Sequence, residues 1–354
     1  DGKSMIAYEY VSAADSRMHL IDLETGKSQR IIGGTRKDTA YHGALVFGAD
    51  ADTLYATSNR GGEFVQLYRV KRERRKWRWS LLSDAIPWDI EELAITKDAG
   101  TLAFTVNEGG YNSLYLMNLS DDSYRKVDAV PRGLVYGLRF ARQADVLGFT
   151  AAGPTRTGDA WTLDIGSDEV TRWTSSEIGG LDSSGFIEPT LIEYESFDGR
   201  KIPAFYYRPE GDGPFPVTID IHGGPEGQAQ PWFSASRQYL LRESKIAVLV
   251  PNVRGSSGYG RSYLALDNGY LREDSVKDIG ALLDWIGAQK ELDPERVAVQ
   301  GGSYGGYMVL AALVHFGDRL RAGIDVVGIS NFVTFLENTK AYRRDVRRVE
   351  YGDE

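Results

Sequence analysis

Two hydrophobic periods divide the chain. Over residues 1–175, apolar and polar positions alternate in short runs broken by turn residues. That is the period-2 pattern of strands with one buried face. No stretch there carries the period of an amphipathic helix. The alternation itself recurs. Runs ending in an apolar-polar-apolar step finish at Leu23, Val70, Leu119 and Ile165, 46 to 49 residues apart. A second strand precedes each copy, at Ile6-Ala7-Tyr8, Leu54-Tyr55-Ala56, Leu102-Ala103-Phe104 and Leu147-Gly148-Phe149. A third comes before that, around Phe47, Ile95 and Phe140, and turns such as Asp50-Ala51-Asp52 and Lys97-Asp98-Ala99-Gly100 join them. A period in the forties with about four strands per unit predicts β-propeller blades, here three and part of a fourth.

From Ile187 the texture changes. Strand-like runs at Glu193–Glu195, Ile202–Tyr207, Val217–Ile221 and Ile246–Val250 precede a helical one, Asp274 to Ala288, where Val276, Ile279, Leu283 and Ile286 share a face. Ser275-x-x-Asp278 reads as its capping box. Alternating strands and helices predict a parallel sheet with both faces covered. The expected division is a partial propeller over 1–180 and the first part of an α/β domain over 187–354. Gly179-Gly180 and Ser183-Ser184-Gly185 mark the boundary.

The second half is organised around Gly301-Gly302-Ser303-Tyr304-Gly305-Gly306. Arg296–Gln300 reads as a strand and Tyr307–Phe316 as a helix, so Gly-x-Ser-x-Gly sits in a strand-to-helix turn. A nucleophile elbow needs that context: the turn strains the serine backbone and tolerates only small neighbours. Ser303 is the candidate nucleophile, and the Tyr304 N–H is left free for an oxyanion.

Composition narrows the class. The chain has 354 residues, 42% hydrophobic and 26% charged, a net charge of −9 and no cysteine. Two ordinary globular domains are expected, without disulfides or thiolate metal sites. The acidic balance argues against a nucleic-acid partner. No apolar run approaches the ~20 residues of a membrane span. No metal or cofactor motif is present. A soluble protein of cytoplasm or periplasm is expected, with its compartment and oligomeric state open. The chain opens on Asp1-Gly2-Lys3-Ser4, inside a blade and without a start methionine, so an internal fragment is expected.

Two features of the first half admit two readings each. Lys71-Arg72-Glu73-Arg74-Arg75-Lys76-Trp77-Arg78 is either a nucleic-acid patch or, as the acidic balance favours, a solvated hairpin. Glu91 and Glu92 begin an innermost strand. They could hold a substrate ammonium, or be plain solvated strand residues, the reading preferred here.

The elbow, His222-Gly223-Gly224-Pro225 and Asn252-Val253-Arg254-Gly255-Ser256-Ser257-Gly258-Tyr259-Gly260 stand in an order that resembles prolyl oligopeptidase-type serine peptidases. The preceding propeller matches, and the resemblance covers nearly the whole chain. The HGGP form looks more like the acylaminoacyl- and dipeptidyl-peptidase-like bacterial branch. The resemblance implies an α/β-hydrolase domain whose serine attacks a peptide carbonyl, under a propeller that admits short peptides. A second oxyanion donor is assigned to the Gly224 N–H, by analogy with glycine-rich loops of other hydrolases. His222 is read as shaping that loop. Arg254 is read as a brace beside the site, with direct substrate contact as the alternative.

The general base is the missing part. The triad in this fold runs Ser, Asp or Glu, His. Only His315 follows Ser303. It lies 12 residues along the same helix, about 18 Å away at 1.5 Å per residue. Asp325 comes too early to orient a base. The resemblance implies an Asp and a His beyond Glu354. The expected function is a serine peptidase acting on short peptides, in an aminopeptidase, dipeptidyl- or acylaminoacyl-peptidase-like mode, with the chain by itself inactive. The alternatives are an esterase using the same serine and a non-catalytic propeller binding protein.

Overall fold

The computed structural model describes residues 2–33, 39–74 and 76–353. Its chain separates into two compact units: Asp1–Gly153 with Gly158–Glu177 and Gly258–Arg261, and Pro154–Thr157 with Ile178–Ser257 and Ser262–Glu354. Among the described residues no helix is long and apolar enough to cross a membrane.

The first unit is a series of antiparallel sheets. The first sheet is β1 (Ser4–Ser12), β2 (Asp15–Asp22) and β3 (Ser28–Ile32). The second is β4 (His42–Phe47), β5 (Thr53–Ser58), β6 (Gln66–Glu73) and β7 (Lys76–Leu81). The third is β8 (Asp89–Ile95), β9 (Thr101–Glu108), β10 (Tyr111–Asn118) and β11 (Tyr124–Lys126). The fourth is β12 (Leu134–Phe140), β13 (Val146–Gly153), β14 (Arg156–Asp164) and β15 (Val170–Arg172). Each sheet is a meander, because turns of two to seven residues can join only neighbouring antiparallel strands. Alternate side chains point to opposite faces, so the apolar ones meet those of the next sheet. Met18, Ile32, Leu54 and Val70 form one such core. Leu67, Ile90, Leu102 and Phe104 form a second, and Leu114, Val135, Leu147 and Leu163 a third. Three sheets carry the four strands per unit that the repeat predicts, and the first sheet shows three among the described residues.

The basic run forms the β6–β7 hairpin, which pairs Arg72 with Trp77 and Glu73 with Lys76. Arg75 lies outside the described residues. Arg72 and Arg78 stand 3.7 Å from Asp52 and Glu73.

The second unit is built on a six-stranded sheet: β16 (Thr190–Glu195), β17 (Lys201–Tyr207), β18 (Phe215–Ile221), β19 (Ala247–Pro251), β20 (Leu292–Gly302) and β21 (Ala322–Val326), in the order β16-β17-β19-β18-β20-β21. The helices are α1 (Ala235–Arg242), α2 (Arg261–Leu264), α3 (Asp274–Ala288), α4 (Tyr304–Phe316), α5 (Phe332–Asn338) and α6 (Ala341–Tyr351). The sheet corrects one expectation. It is mixed rather than parallel: β18, β19, β20 and β21 run together, whereas β16 and β17 are antiparallel to their neighbours. The physical reason is the turn at Asp198-Gly199, with Gly199 at φ +80°, which is too short for a parallel crossover.

A second correction concerns α3. Its N-cap is Glu273, with no side-chain capping bond. The Ser275 hydroxyl turns back to the Arg272 carbonyl at 2.7 Å, and Asp278 is consumed by an arginine. The spacing of a capping box is present, but both side chains are buried and committed elsewhere.

Candidate active site

Strand β20 leads into α4 through Ser303, which adopts φ +59°, ψ −118°. An L-residue reaches that region only under constraint, and such strain concentrates at functional sites. Two constraints are visible. The Ser303 N–H donates to the Val326 carbonyl of β21 at 2.9 Å. Gly305 leaves no room for a Cβ, which would run into the Ile221 carbonyl at the end of β18. The serine makes no capping hydrogen bond to α4, so its hydroxyl is not spent on the helix. Tyr304 is the first residue of that helix, and its N–H has no intrahelical acceptor.

Tyr304 is fully buried, and its phenol meets Ser275 Oγ at 2.8 Å and Asp267 Oδ2 at 3.1 Å. Burial, followed by the charge of Asp267, pushes its pKa well above 10. Asp267 also pairs with Arg272. Burial raises the Asp267 carboxyl to about 6 despite that guanidinium. The amide and the phenol of Tyr304 therefore belong to one rigid unit, with the amide at the elbow and the phenol anchored in polar contacts behind it. Asp267 and Arg272 were not singled out from the sequence, and Ser275 was read there only as a helix cap. No spacing links them, and only the fold gathers them around residue 304.

The His222-Gly223-Gly224-Pro225 loop leaves β18 beside the elbow. A Cβ on Gly223 would stand 3.6 Å from Ser303 Cβ. Gly224 has φ +149°, and a Cβ there would lie 2.6 Å from the amide nitrogens of both Glu226 and Gly227. Only glycine fits, and the backbone is left bare where it passes the serine. His222 bridges Gly223 O at 2.8 Å through Nδ1 and Ser256 Oγ at 2.9 Å through Nε2. Burial lowers its pKa, which favours the neutral ring. Since a carbonyl can only accept, Nδ1 carries the proton.

Arg254 is committed to the protein. Its guanidinium contacts Asp278 at 2.8 Å, Asp198 at 3.1 Å and Ser196 Oγ at 3.3 Å, and its backbone N–H donates to Asp278 at 2.9 Å. The charges join the β16–β17 turn, the loop after β19 and α3. Arg254 and Asp278 side chains are 3% and 0% exposed. Breaking a buried pair from one side strands the other charge. Arg254→Met in the full-length protein is expected to cost about 3–5 kcal/mol, read as a fall in urea midpoint. A KM change with the midpoint intact would instead mark Arg254 as a substrate contact.

The four histidines stand apart from Ser303's hydrogen bonding. His19 pairs with Glu9 at 2.9 Å, and His42 packs on Trp79 in the first unit. His222 bonds its own loop and Ser256. His315, near the end of α4, stands 4.0 Å from Glu273.

In the first unit, Glu91 accepts from Asn107 Nδ2 and Asn112 Nδ2, both at 2.8 Å. Glu92 accepts from the N–H groups of Gly137 at 2.8 Å and Leu138 at 3.1 Å, where β12 bulges against β13. Glu91 is exposed on its strand and Glu92 is half-buried. The amides hold Glu91 in place, and Glu92 ties one blade to the next.

Residues 231–354 match the prolyl oligopeptidase family. A dipeptidyl aminopeptidase BIII of Pseudoxanthomonas mexicana is 33% identical over 97% of this chain and 43% of its own. A Bacillus subtilis protein, the uncharacterized peptidase YuxL, is 26% identical over 72% of this chain and 39% of its own. The chain spans less than half the length of these curated relatives. Among solved structures, a Mycobacterium tuberculosis puromycin-hydrolyzing peptidase superposes with a TM-score of 0.84 at 21% identity, over 99% of this chain and 55% of that one. The fold is thus that of a propeller with an α/β-hydrolase domain. With the strained Ser303 elbow and the glycine loop beside it, the sequence match makes the chain a member of the prolyl oligopeptidase family.

Proposed function

We propose that the protein is a serine peptidase that removes short units from peptide N-termini through an acyl-enzyme on Ser303. The strained backbone of Ser303, φ +59°, between β20 and α4 carries this reading. An unstrained serine in a glycine-rich turn would not need it. In the proposed reaction the Ser303 hydroxyl attacks the scissile carbonyl. The Tyr304 and Gly224 N–H groups receive the developing oxyanion, where preorganised donors act most strongly. The general base and its orienting acid are proposed to lie outside residues 1–354. Fluorophosphonate labelling of the full-length protein tests the nucleophile. Modification is expected at Ser303, and its absence would leave a non-catalytic binding protein. Faster cleavage of aminoacyl-anilides than of short-chain esters is expected, and the reverse order would make the protein an esterase.

Glu91 is proposed to receive the substrate ammonium. The two asparagine amides orient its carboxylate, and that ordering lowers the entropy cost of binding. Glu91→Gln is expected to weaken free-amine peptides by roughly 1.5–3 kcal/mol and to spare N-acylated ones. An equal effect on both substrate types, measured as kcat/KM, would rule this out.

A further inference from the structure

We propose that His222 is a positioning residue that aims the Gly224 N–H at the developing oxyanion, and that Ser256 holds its ring in place. The inference rests on the oxyanion role proposed for Gly224. A peptide unit is planar and trans, so its C=O and its N–H point in opposite directions within one plane. The Gly224 N–H shares its plane with the Gly223 carbonyl. A group that holds that carbonyl therefore aims the N–H.

His222 holds it. Nδ1 donates to Gly223 O at 2.8 Å. The bond also polarises the peptide, which strengthens its N–H as a donor. Glycine on both sides of this peptide leaves the plane free to turn, and the ring supplies the missing constraint. Gly227 gives the bond its room. A Cβ there would run into Gly223 O and come within 3.1 Å of Nδ1.

The ring is itself held from its far side. Nε2 lies 2.9 Å from the Oγ of Ser256, which is fully buried. With the proton of the neutral ring on Nδ1, Nε2 accepts and the Ser256 hydroxyl donates. The other acceptor near that hydroxyl is the Val253 carbonyl at 2.6 Å. It also receives the Ser256 N–H at 3.0 Å, so it keeps a donor. The segment around Ser256 is bonded to the glycine loop at further points. The Ser257 N–H donates to Gly227 O at 2.9 Å. The Asn252 side chain accepts from the Ala229 N–H at 2.6 Å and donates to the Ala229 carbonyl at 3.1 Å. The next peptide has other partners. The Gly224 carbonyl accepts from the Tyr351 hydroxyl at 3.4 Å and from Arg347 Nη1 at 3.5 Å. Both lie on α6, whose Glu350 carbonyl accepts from Arg272. The His222 bond acts on the plane that carries the Gly224 N–H.

The two ring nitrogens can be replaced one at a time. The amide nitrogen of asparagine falls where Nδ1 stands, and that of glutamine where Nε2 stands. In the full-length protein, with an aminoacyl-anilide, His222→Gln should lower kcat by about 10²-fold with little change in KM, the scale of one misaimed oxyanion donor. His222→Asn keeps a donor to Gly223 O and should recover most of that loss. Ser256→Ala should lower kcat by about tenfold, the scale of one hydrogen bond between neutral groups. The affinity of a peptide aldehyde, whose adduct carries the oxyanion, should fall in step with kcat. Equal kcat in folded His222→Gln and His222→Asn would overturn the proposal. If His222→Gln does not fold, Ser256→Ala decides, and an unchanged kcat there overturns it.

Amide hydrogen exchange over residues 223–229 supplies a readout free of catalysis. Exchange should quicken in His222→Gln and stay near that of the unaltered protein in His222→Asn. Equal exchange in the two variants would show that the Nδ1 bond does not hold the loop. If fluorophosphonate fails to label Ser303 while exchange separates the variants, the serine reading fails and the positioning contact stands. If Ser303 is labelled and the variants agree, the serine reading stands and the positioning role fails.

Discussion

Ser303→Ala in the full-length protein is expected to lower kcat by 10⁴- to 10⁶-fold. The estimate follows from how a nucleophile and its base work. Removing one member of the unit removes the covalent route altogether, and only the binding and oxyanion contributions persist. The substitution should leave the fold in place. Alanine keeps the Cβ that the elbow already accommodates, and the Ser303 N–H bond to Val326 is a backbone bond. Relief of a positive φ is not available to alanine, so melting temperatures should agree within a few degrees. The measurement is single-turnover and steady-state hydrolysis of an aminoacyl-anilide, with unfolding curves as the control. Retention of more than a tenth of the activity would exclude Ser303 as nucleophile.

The second large effect concerns residues 1–354 expressed alone. No measurable turnover is expected. None of the four histidines is hydrogen-bonded to Ser303. A serine without a base retains only the acceleration that oxyanion donors and binding supply. Self-association is expected as well. Strand β21 ends the six-stranded sheet, and all five of its residues are exposed. Ile324 and Val326 are more than half exposed, and Val327 next to them is 83% exposed. An apolar edge with unpaired backbone groups is a template for another chain. Sedimentation and anilide hydrolysis on the purified chain decide both points. A monodisperse monomer turning over like an ordinary peptidase would show that the base lies among these residues.

The sequence made some of this legible and hid the rest for physical reasons. The blades were readable because each strand buries one face, and the burial pattern returns with every repeat. The elbow was readable because steric demands restrict three positions around Ser303, at residues 301, 305 and 306, to glycine. The direction of β17 was misassigned because alternation reports burial and not polarity. The Asp198-Gly199 turn was the available clue. Ser275 and Asp278 matched a capping box in spacing, but the fold assigns them to Tyr304 and Arg254, partners far along the chain. The grouping of Asp267, Arg272 and Glu350 has no sequence signature. Glu350 lies far along the chain from the other two, and a buried carboxyl is indistinguishable in sequence from a solvated one.

The contact between Glu92 and β12 also sets how substitutions should be distributed between two blades. The carboxylate grips the N–H groups of residues 137 and 138, which every amino acid except proline provides. Leu138 can thus be exchanged among residues of similar volume without loosening the grip. Gly137 is held by its own φ of +71° and not by the contact. Glu92 has no such latitude. Aspartate is one methylene short, and glutamine keeps one acceptor oxygen but loses the charge. Two sides of one contact therefore face unequal constraint: a fixed side chain in one blade, and in the next a backbone that leaves its side chains to answer to conformation and packing alone.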